Sequence, residues 1–288
     1  MNWQSVVEIY GEKQGNHGSG YLVAPGLVLT AQHVVAGLQS TELRLLEADA
    51  HGLPGTVGAW QPARVVWSSA EQDLAMLAPA EKQAKFTSLT GTTKAGRLDN
   101  RGSTPVRVRA LGFPRAMEKP THSDTLMLLA SITPLSGVRS GSLLLKLTED
   151  SPRPASGKDW KGMSGAAVFA GDRLVGVIKA VPTRLDESIL AAPVHLMFDD
   201  VAAVSILRDA GVTLDSQFVD AAYVDALPQA GDWGGLREQY ARAVIESLCS
   251  IDDLGLAVSG ALERRVPALA VFTAQRLRLW TGQTPDSQ

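Results

Sequence analysis

Gly162-Met163-Ser164-Gly165, running straight into Ala166-Ala167-Val168-Phe169, places a small hydroxyl between two glycines at the mouth of an apolar strand. Glycine opens backbone conformations closed to other residues and leaves room for another group to approach the main chain. N–H groups in such a turn can converge on one point, which is how an oxyanion is held. The same quartet also suits a glycine-rich hairpin turn whose serine bonds its own backbone. What separates the two readings is whether the rest of the chain supplies a base and a carboxylate to orient it.

Working outward from the quartet, the chain up to about residue 200 reads as short strands punctuated by glycine and proline. Ser5 to Tyr10, Gly20 to Val23, Leu27 to Thr30, Leu43 to Leu46, Ala63 to Trp67 and Leu74 to Leu77 precede residue 80, with Ala24-Pro25-Gly26 as a tight hairpin. A polar stretch, 81–104, reads as a connector. Beyond it lies a second group: Val106 to Leu111, Thr125 to Ile132, Leu143 to Leu147, Ala166 to Phe169, Leu174 to Ile178 and Ile189 to Val194. Strands at this spacing, in two successive groups, predict a mainly β fold of two six-stranded antiparallel barrels, one over about 1–80 and one over about 105–195.

Apolar residues at helical steps (Val201, Val204, Leu207) with Gly211 as the stop predict a helix over about 196–210 that closes a first domain ending at 212. Phe218, Ala221, Ala222 and Val224 suit a short helix within a linker over 213–235. From Leu236 to the end, at 288, the recurring Leu236, Tyr240, Val244, Leu248 and Leu254, Val258, Leu262, Val266 predict a small all-α domain, with Ser250-Ile251-Asp252-Asp253 capping one helix.

Composition narrows the function. The chain has 288 residues, 27 Lys+Arg against 30 Asp+Glu, and a net charge of −3, so neither nucleic acid nor an anionic membrane is an expected partner. A single cysteine, Cys249, allows neither an internal disulfide nor a cysteine-based zinc cluster. No metal and no cofactor is expected. The first residues, Met1-Asn2-Trp3-Gln4-Ser5-Val6-Val7-Glu8, have no cationic segment and no uninterrupted apolar core, so the expected location is the cytoplasm.

The five histidines are His17, His33, His51, His122 and His195. His33 directly succeeds a strand, in Thr30-Ala31-Gln32-His33-Val34-Val35, and Asp73 directly precedes one, in Gln72-Asp73-Leu74-Ala75-Met76-Leu77. Taken singly, each suits a structural role. Together they place a base and a carboxylate in the first β unit and a serine, Ser164, in the second. A serine nucleophile needs a base to take its proton, and that imidazole needs a carboxylate to set its tautomer.

Four stretches carry a family resemblance. Gly18-Ser19-Gly20-Tyr21-Leu22-Val23, Leu29-Thr30-Ala31-Gln32-His33-Val34-Val35, Gln72-Asp73-Leu74-Ala75-Met76-Leu77 and Gly162-Met163-Ser164-Gly165-Ala166 together resemble the trypsin-like (chymotrypsin-fold) serine peptidases, especially the cysteine-poor bacterial members. The resemblance covers about the first 210 residues, and Ala192-Pro193-Val194 before the closing helix also fits. It implies a serine endopeptidase with His33 as general base, Asp73 as its orienting partner and Ser164 as nucleophile. The backbone N–H groups of Gly162 and Ser164 would form the oxyanion hole, and the substrate would be a protein or peptide.

Two positions depart from the family pattern. Met163 stands where zymogen-activated members have the aspartate that pairs with a new amino terminus, so that switch is not available. Either the site is formed as translated or another partner sets the loop Ser156 to Met163. Ala166 replaces the family's second glycine and removes no catalytic group. The primary pocket is expected to be walled by Lys158, Asp159 and Trp160 on one side and by Ile178, Lys179 and Ala180 on the other. Lys158 or Lys179 would favour an acidic side chain and Asp159 a basic one, unless these charges are simply solvated. The tail from Leu236 resembles the small effector-associated, death-domain-like helical modules of bacterial conflict systems, which implies recruitment by a protein partner or self-association. It also suits a helical appendage. Two other functions remain open: a catalytically silent, peptidase-like adaptor, and a small-ester hydrolase, whose serine should sit between a strand and a helix, which does not fit here.

Overall fold

The computed structural model describes residues 1–11, 16–38, 41–48, 54–80, 86, 93–98, 105–117, 124–153, 156, 158–180 and 188–219. The chain divides into two compact units, Met1–Ala226 and Leu227–Gln288. The expected helical domain over 236–288 lies outside the described residues, as does the short helix expected from Phe218 to about Pro228 except for its start, where Phe218 belongs to a strand.

The first unit holds two barrels. In the first, β1 (Val6–Gly11), β2 (Asn16–Ala24), β3 (Leu27–Thr30), β4 (Thr41–Ala48), β6 (Gln61–Ser69) and β7 (Leu74–Pro79) pair in the order β1-β2-β3-β7-β6-β4 and close through β1 against β4, while β5 (Pro54–Val57) adds to the outside of β4. In the second, β9 (Val106–Gly112), β10 (Leu126–Ile132), β11 (Leu143–Leu147), β12 (Ala167–Ala170), β13 (Arg173–Ala180) and β14 (Ser188–Pro193) pair in the order β12-β9-β10-β11-β14-β13 and close through β12 against β13. All the pairings within each closed ring are antiparallel. Closure leaves neither barrel with an unpaired edge in the ring.

The side-chain pattern explains the faces. In β9 and β10, Val106, Val108, Leu126, Leu128, Ala130 and Ile132 are buried while Arg107, Arg109, Met127 and Leu129 point out, the two-residue period of a strand wet on one face. β12 differs. Ala167 and Phe169 belong to the core of the first barrel, whereas Ala166, Val168 and Ala170 belong to that of the second. A strand buried on both faces needs an uninterrupted apolar run, and the Gly162–Gly165 quartet leads directly into one. Phe169 meets Tyr21 of β2 edge-on, with ring centroids 5.0 Å apart. The quartet is therefore the entry to the strand that joins the two cores.

Three expectations need correction. The connector 81–104 contains a strand, β8 (Lys94–Leu98), and the region expected to begin the linker forms another, β15 (Thr213–Val219), so the first β domain does not end at 212. β8 pairs in parallel with β13 and with β15, outside the closed ring. β8 has only five residues, and β15 interrupts Leu214, Phe218 and Val219 with Asp215, Ser216 and Gln217; each becomes a strand only through a partner distant in sequence, so neither carries a local apolar period. The Arg173 guanidinium of β13 pairs with Asp215 of β15. The closing helix is split into a 3-10 turn, Val194–Asp199, and an α-helix, α2 (Val201–Asp209). Asp200 caps α2, its Oδ1 accepting from Ala203 N at 2.9 Å. Val201, expected on the apolar face, is 85% exposed, and Ala203 and Leu207 are the residues that pack inward. Among the described residues no helix is long and apolar enough to cross a membrane.

Candidate active site

His33 lies in a single helical turn, α1 (Gln32–Val35), directly after β3, and Asp73 in the turn between β6 and β7. β3 and β7 are neighbours, with Thr30 opposite Ala75, so closing the barrel brings the two side chains together. Asp73 Oδ1 accepts from the His33 backbone N–H at 3.0 Å, and both its carboxylate oxygens lie 2.9 Å from His33 Nδ1. The carboxylate thus satisfies a free N–H at the start of α1, where Ala31 has no capping side chain. A carboxylate accepts and does not donate, so Nδ1 carries the proton in this pair, and the Nε2 lone pair of a neutral imidazole points away from Asp73. The imidazole side chain is 45% exposed and the carboxylate 20%. Asp73 has φ +55°, in the left-handed region that aspartate and asparagine enter more readily than other non-glycine residues.

Ser164 is half-buried at the entry to β12. Its Oγ donates to the Lys179 carbonyl oxygen at 3.4 Å, and among the described residues no hydrogen bond joins it to His33. The loop before it is wound as consecutive turns. Asp159 N donates to Ser156 O at 3.1 Å, Lys161 N to Lys158 O at 3.2 Å, and Met163 N to Trp160 O at 3.0 Å. Two further bonds tie this loop to the 3-10 turn Arg115–Met117: Arg115 N to Lys161 O at 2.6 Å and Ala116 N to Asp159 O at 3.0 Å.

These bonds determine where the Gly162 and Ser164 N–H groups face. In a trans peptide N–H and C=O point in opposite directions. The carbonyl of the Lys161–Gly162 peptide is taken by Arg115 N at 2.6 Å, and that of Met163–Ser164 by Ala166 N at 3.0 Å. Each N–H therefore points away from those partners, and among the described residues neither finds an acceptor. Gly162 has φ +93°, and a Cβ there would strike the Phe113 carbonyl oxygen. Gly165, φ +91°, lies so close to the Ser19 carbonyl and Thr30 Oγ1 that no side chain fits.

One buried hydroxyl clamps this turn to the first barrel. Ser19 of β2 donates from Oγ to the Gly162 carbonyl at 2.6 Å and accepts there from Phe113 N at 2.9 Å. Its backbone N–H donates to the Ser164 carbonyl at 2.7 Å, and its own carbonyl accepts from Thr30 Oγ1 at 2.7 Å. In the sequence Ser19 stands out only as a member of a motif. The signal that marks it is a small hydroxyl between two glycines inside an apolar strand, a second copy of the feature seen at Ser164. Gln72, beside Asp73, likewise reaches beyond the first barrel, donating from Nε2 to Leu196 O in the 3-10 turn Val194–Asp199 at 3.0 Å.

The expected pocket residues do not share one environment. Trp160 and Ile178 are buried in the core of the second barrel. Asp159 turns its carboxylate onto Ser156, accepting from its N at 2.9 Å and its Oγ at 2.8 Å. Lys158 is exposed and Lys179 half-buried, with the Lys179 carbonyl facing Ser164. Ala180 ends β13. Lys179 falls at the bulge between Ile178 and Ala180 in the pairing of β13 with β14. Met163 is 1% exposed, and a Cβ on Gly112 would come within 3.0 Å of its sulfur, so the position expected to hold an aspartate only in zymogen-activated members is filled by a buried apolar side chain. Ala166, in place of a glycine, keeps an ordinary negative φ and is fully buried. No group of three or more metal-binding side chains occurs among the described residues.

The trypsin-like peptidase domain model matches residues 18–177 of this chain. No curated protein matches it in sequence. Among solved structures, it is similar to the serine endoprotease from Yersinia pestis, at 19% identity and a TM-score of 0.47, over 72% of this chain and 63% of that one. It is also similar to Deg5, at 19% identity and a TM-score of 0.47, over 69% of this chain and 88% of that one. The chain thus spans less than two thirds of the length of the Yersinia enzyme.

Proposed function

Because the chain belongs to the trypsin-like peptidase domain family, we propose that it is a serine endopeptidase in which Ser164, His33 and Asp73 form the catalytic triad. The observation that carries this reading is the grip of Asp73 on His33 at both N and Nδ1, at 3.0 and 2.9 Å, which orients the ring and sets its tautomer. The Ser164 hydroxyl leaves the Lys179 carbonyl by rotation about its Cα–Cβ bond and passes its proton to His33 Nε2 as Oγ attacks the scissile carbonyl carbon. Hydrogen bonds of this kind are commonly long before substrate binds. The Gly162 and Ser164 N–H groups hold the oxyanion, each worth about a hundredfold or more in rate. Collapse expels the amine, which takes the proton from His33, and water then releases the acyl group by the same steps in reverse.

The substrate is a protein or peptide, lying against the loop Lys158–Trp160 and the strand Ile178–Ala180. The loop is held by bonds within the first unit, which supports a site formed as translated. In the same reading the protein acts in the bacterial cytoplasm as an effector in defence or signalling, and the region from residue 236 is a helical module that recruits a partner or pairs with itself.

One observation favours a second reading, the silent adaptor: Ser164 bonds Lys179 and not His33. A fluorophosphonate probe decides between them. The full chain should be labelled at Ser164, and Ser164→Ala should lose both labelling and peptide cleavage. A wild-type chain that takes no label, with its partner present, leaves the adaptor.

A further inference from the structure

The first barrel contains a second histidine–carboxylate pair. Glu8 of β1 is 1% exposed, and β1 sets it opposite Ser19 of β2 on one side and Arg44 of β4 on the other. Arg44 Nε donates to Glu8 Oε2 at 2.5 Å, and its guanidinium lies 4.2 Å from the Trp60 ring centre. Glu8 Oε1 lies 2.7 Å from Nε2 of His17, which shares a face of β2 with Ser19. A carboxylate this buried is retained only with charged or hydrogen-bonded partners. It therefore holds Arg44 and His17 firmly and makes His17 Nε2 a donor.

The Nδ1–Cε1 edge of the imidazole lies against the oxyanion turn. A Cβ on Gly162 would come within 2.7 Å of His17 Nδ1 and 3.0 Å of Cε1. The Gly162 carbonyl is held by Ser19, and the carbonyl on its N-terminal side by Arg115. His17 and the Phe113 carbonyl fill the flank that remains. We propose that His17, locked by Glu8 and Arg44, is a positioning residue that braces Gly162 and keeps its N–H aimed at the oxyanion. Its effect on rate rests on the peptidase reading; the brace itself does not.

The test compares His17→Ala, His17→Leu and His17→Gln in the full chain, with two readouts: steady-state cleavage of a peptide, and the backbone amide resonance of Gly162. The glutamine amide can still donate to Glu8, whereas leucine keeps bulk without a donor. Alanine and leucine should lower kcat by at least about tenfold, with KM within about threefold, as expected when an oxyanion donor drifts. They should also shift or broaden the Gly162 resonance, and glutamine should restore both. Alanine or leucine variants with wild-type kcat and an unmoved Gly162 resonance overturn the brace, as does a glutamine variant as impaired as alanine. A moved resonance in a chain that never cleaves or takes a fluorophosphonate keeps the brace and removes the peptidase reading. If His17→Ala loses its cooperative melt, His17→Asn, whose shorter amide misses Glu8, takes its place with the same expected loss and the same overturning result.

Discussion

Asp73 adopts a left-handed backbone conformation at φ +55° while satisfying two N–H groups of His33 at once. Asparagine tolerates this conformation as well as aspartate does, so Asp73→Asn should leave the fold and melting temperature nearly unchanged. Its amide no longer forces the proton onto Nδ1, and it can leave His33 in the tautomer that cannot accept from Ser164. The expected loss is about 10⁴-fold in kcat at neutral pH, with a smaller change in KM. A variant within about tenfold of wild type would remove Asp73 from the triad. The same residue scale accounts for the quartet's glycines. Gly162 must leave room beside Phe113 and His17, and Gly165 beside Ser19 and Thr30.

At the scale of elements, β12 is the piece on which the site depends. It starts shortly after Ser164 and contributes to both cores, and Phe169 is 2% exposed against Tyr21. Phe169→Ala removes a buried aromatic ring and leaves a cavity between the barrels, which should cost about 3–5 kcal/mol of stability. Denaturant unfolding monitored by circular dichroism measures it. A loss below about 1 kcal/mol would mean that the two cores do not lean on this strand. A loss in the expected range, accompanied by slower fluorophosphonate labelling of Ser164 in the still-folded protein, would connect the packing to Ser164.

For the whole first unit, the 3-10 turn Val194–Asp199 ties the barrels together. Leu196 accepts from Gln72 of the first barrel, and His195 next to it has a buried Nδ1 with no hydrogen-bond partner among the described residues. Burial, and then the nearby Arg97 guanidinium, lower the His195 pKa below its usual value near 6.5, against a smaller opposing pull from Asp199. The unfolded chain therefore takes up a proton near pH 6.5 that the folded protein resists until a lower pH. Stability is unaffected by this group above that value and declines as pH falls through the window below it. His195→Gln, of similar volume and uncharged, should flatten that decline. Melting temperatures from about pH 8 to about pH 5 should fall less steeply in the variant, and parallel curves would show that His195 does not titrate this way.

Most of the twelve ring strands were legible because they carry a period, two-residue alternation where one face is wet or an unbroken apolar run where both are dry, whereas β6 mixes the two and leaves Val65 exposed. β8 and β15 were not, because segments without a local period become strands only when a distant partner completes their hydrogen bonds. Helix α2 was legible from its spacing, but not which way Val201 would point. Of the proposed site, the candidates His33, Asp73, Ser164 and Gly162 were picked out by residue type and order. Barrel closure then brought His33 and Asp73 together and pinned the carbonyls that aim the Gly162 and Ser164 N–H groups. It also buried Trp160 and Ile178, expected at the pocket wall, and set Glu8 and His17 behind the turn. Local chemistry is written along the chain, whereas direction and burial depend on which distant strands share a wall, and only the folded barrels decide that.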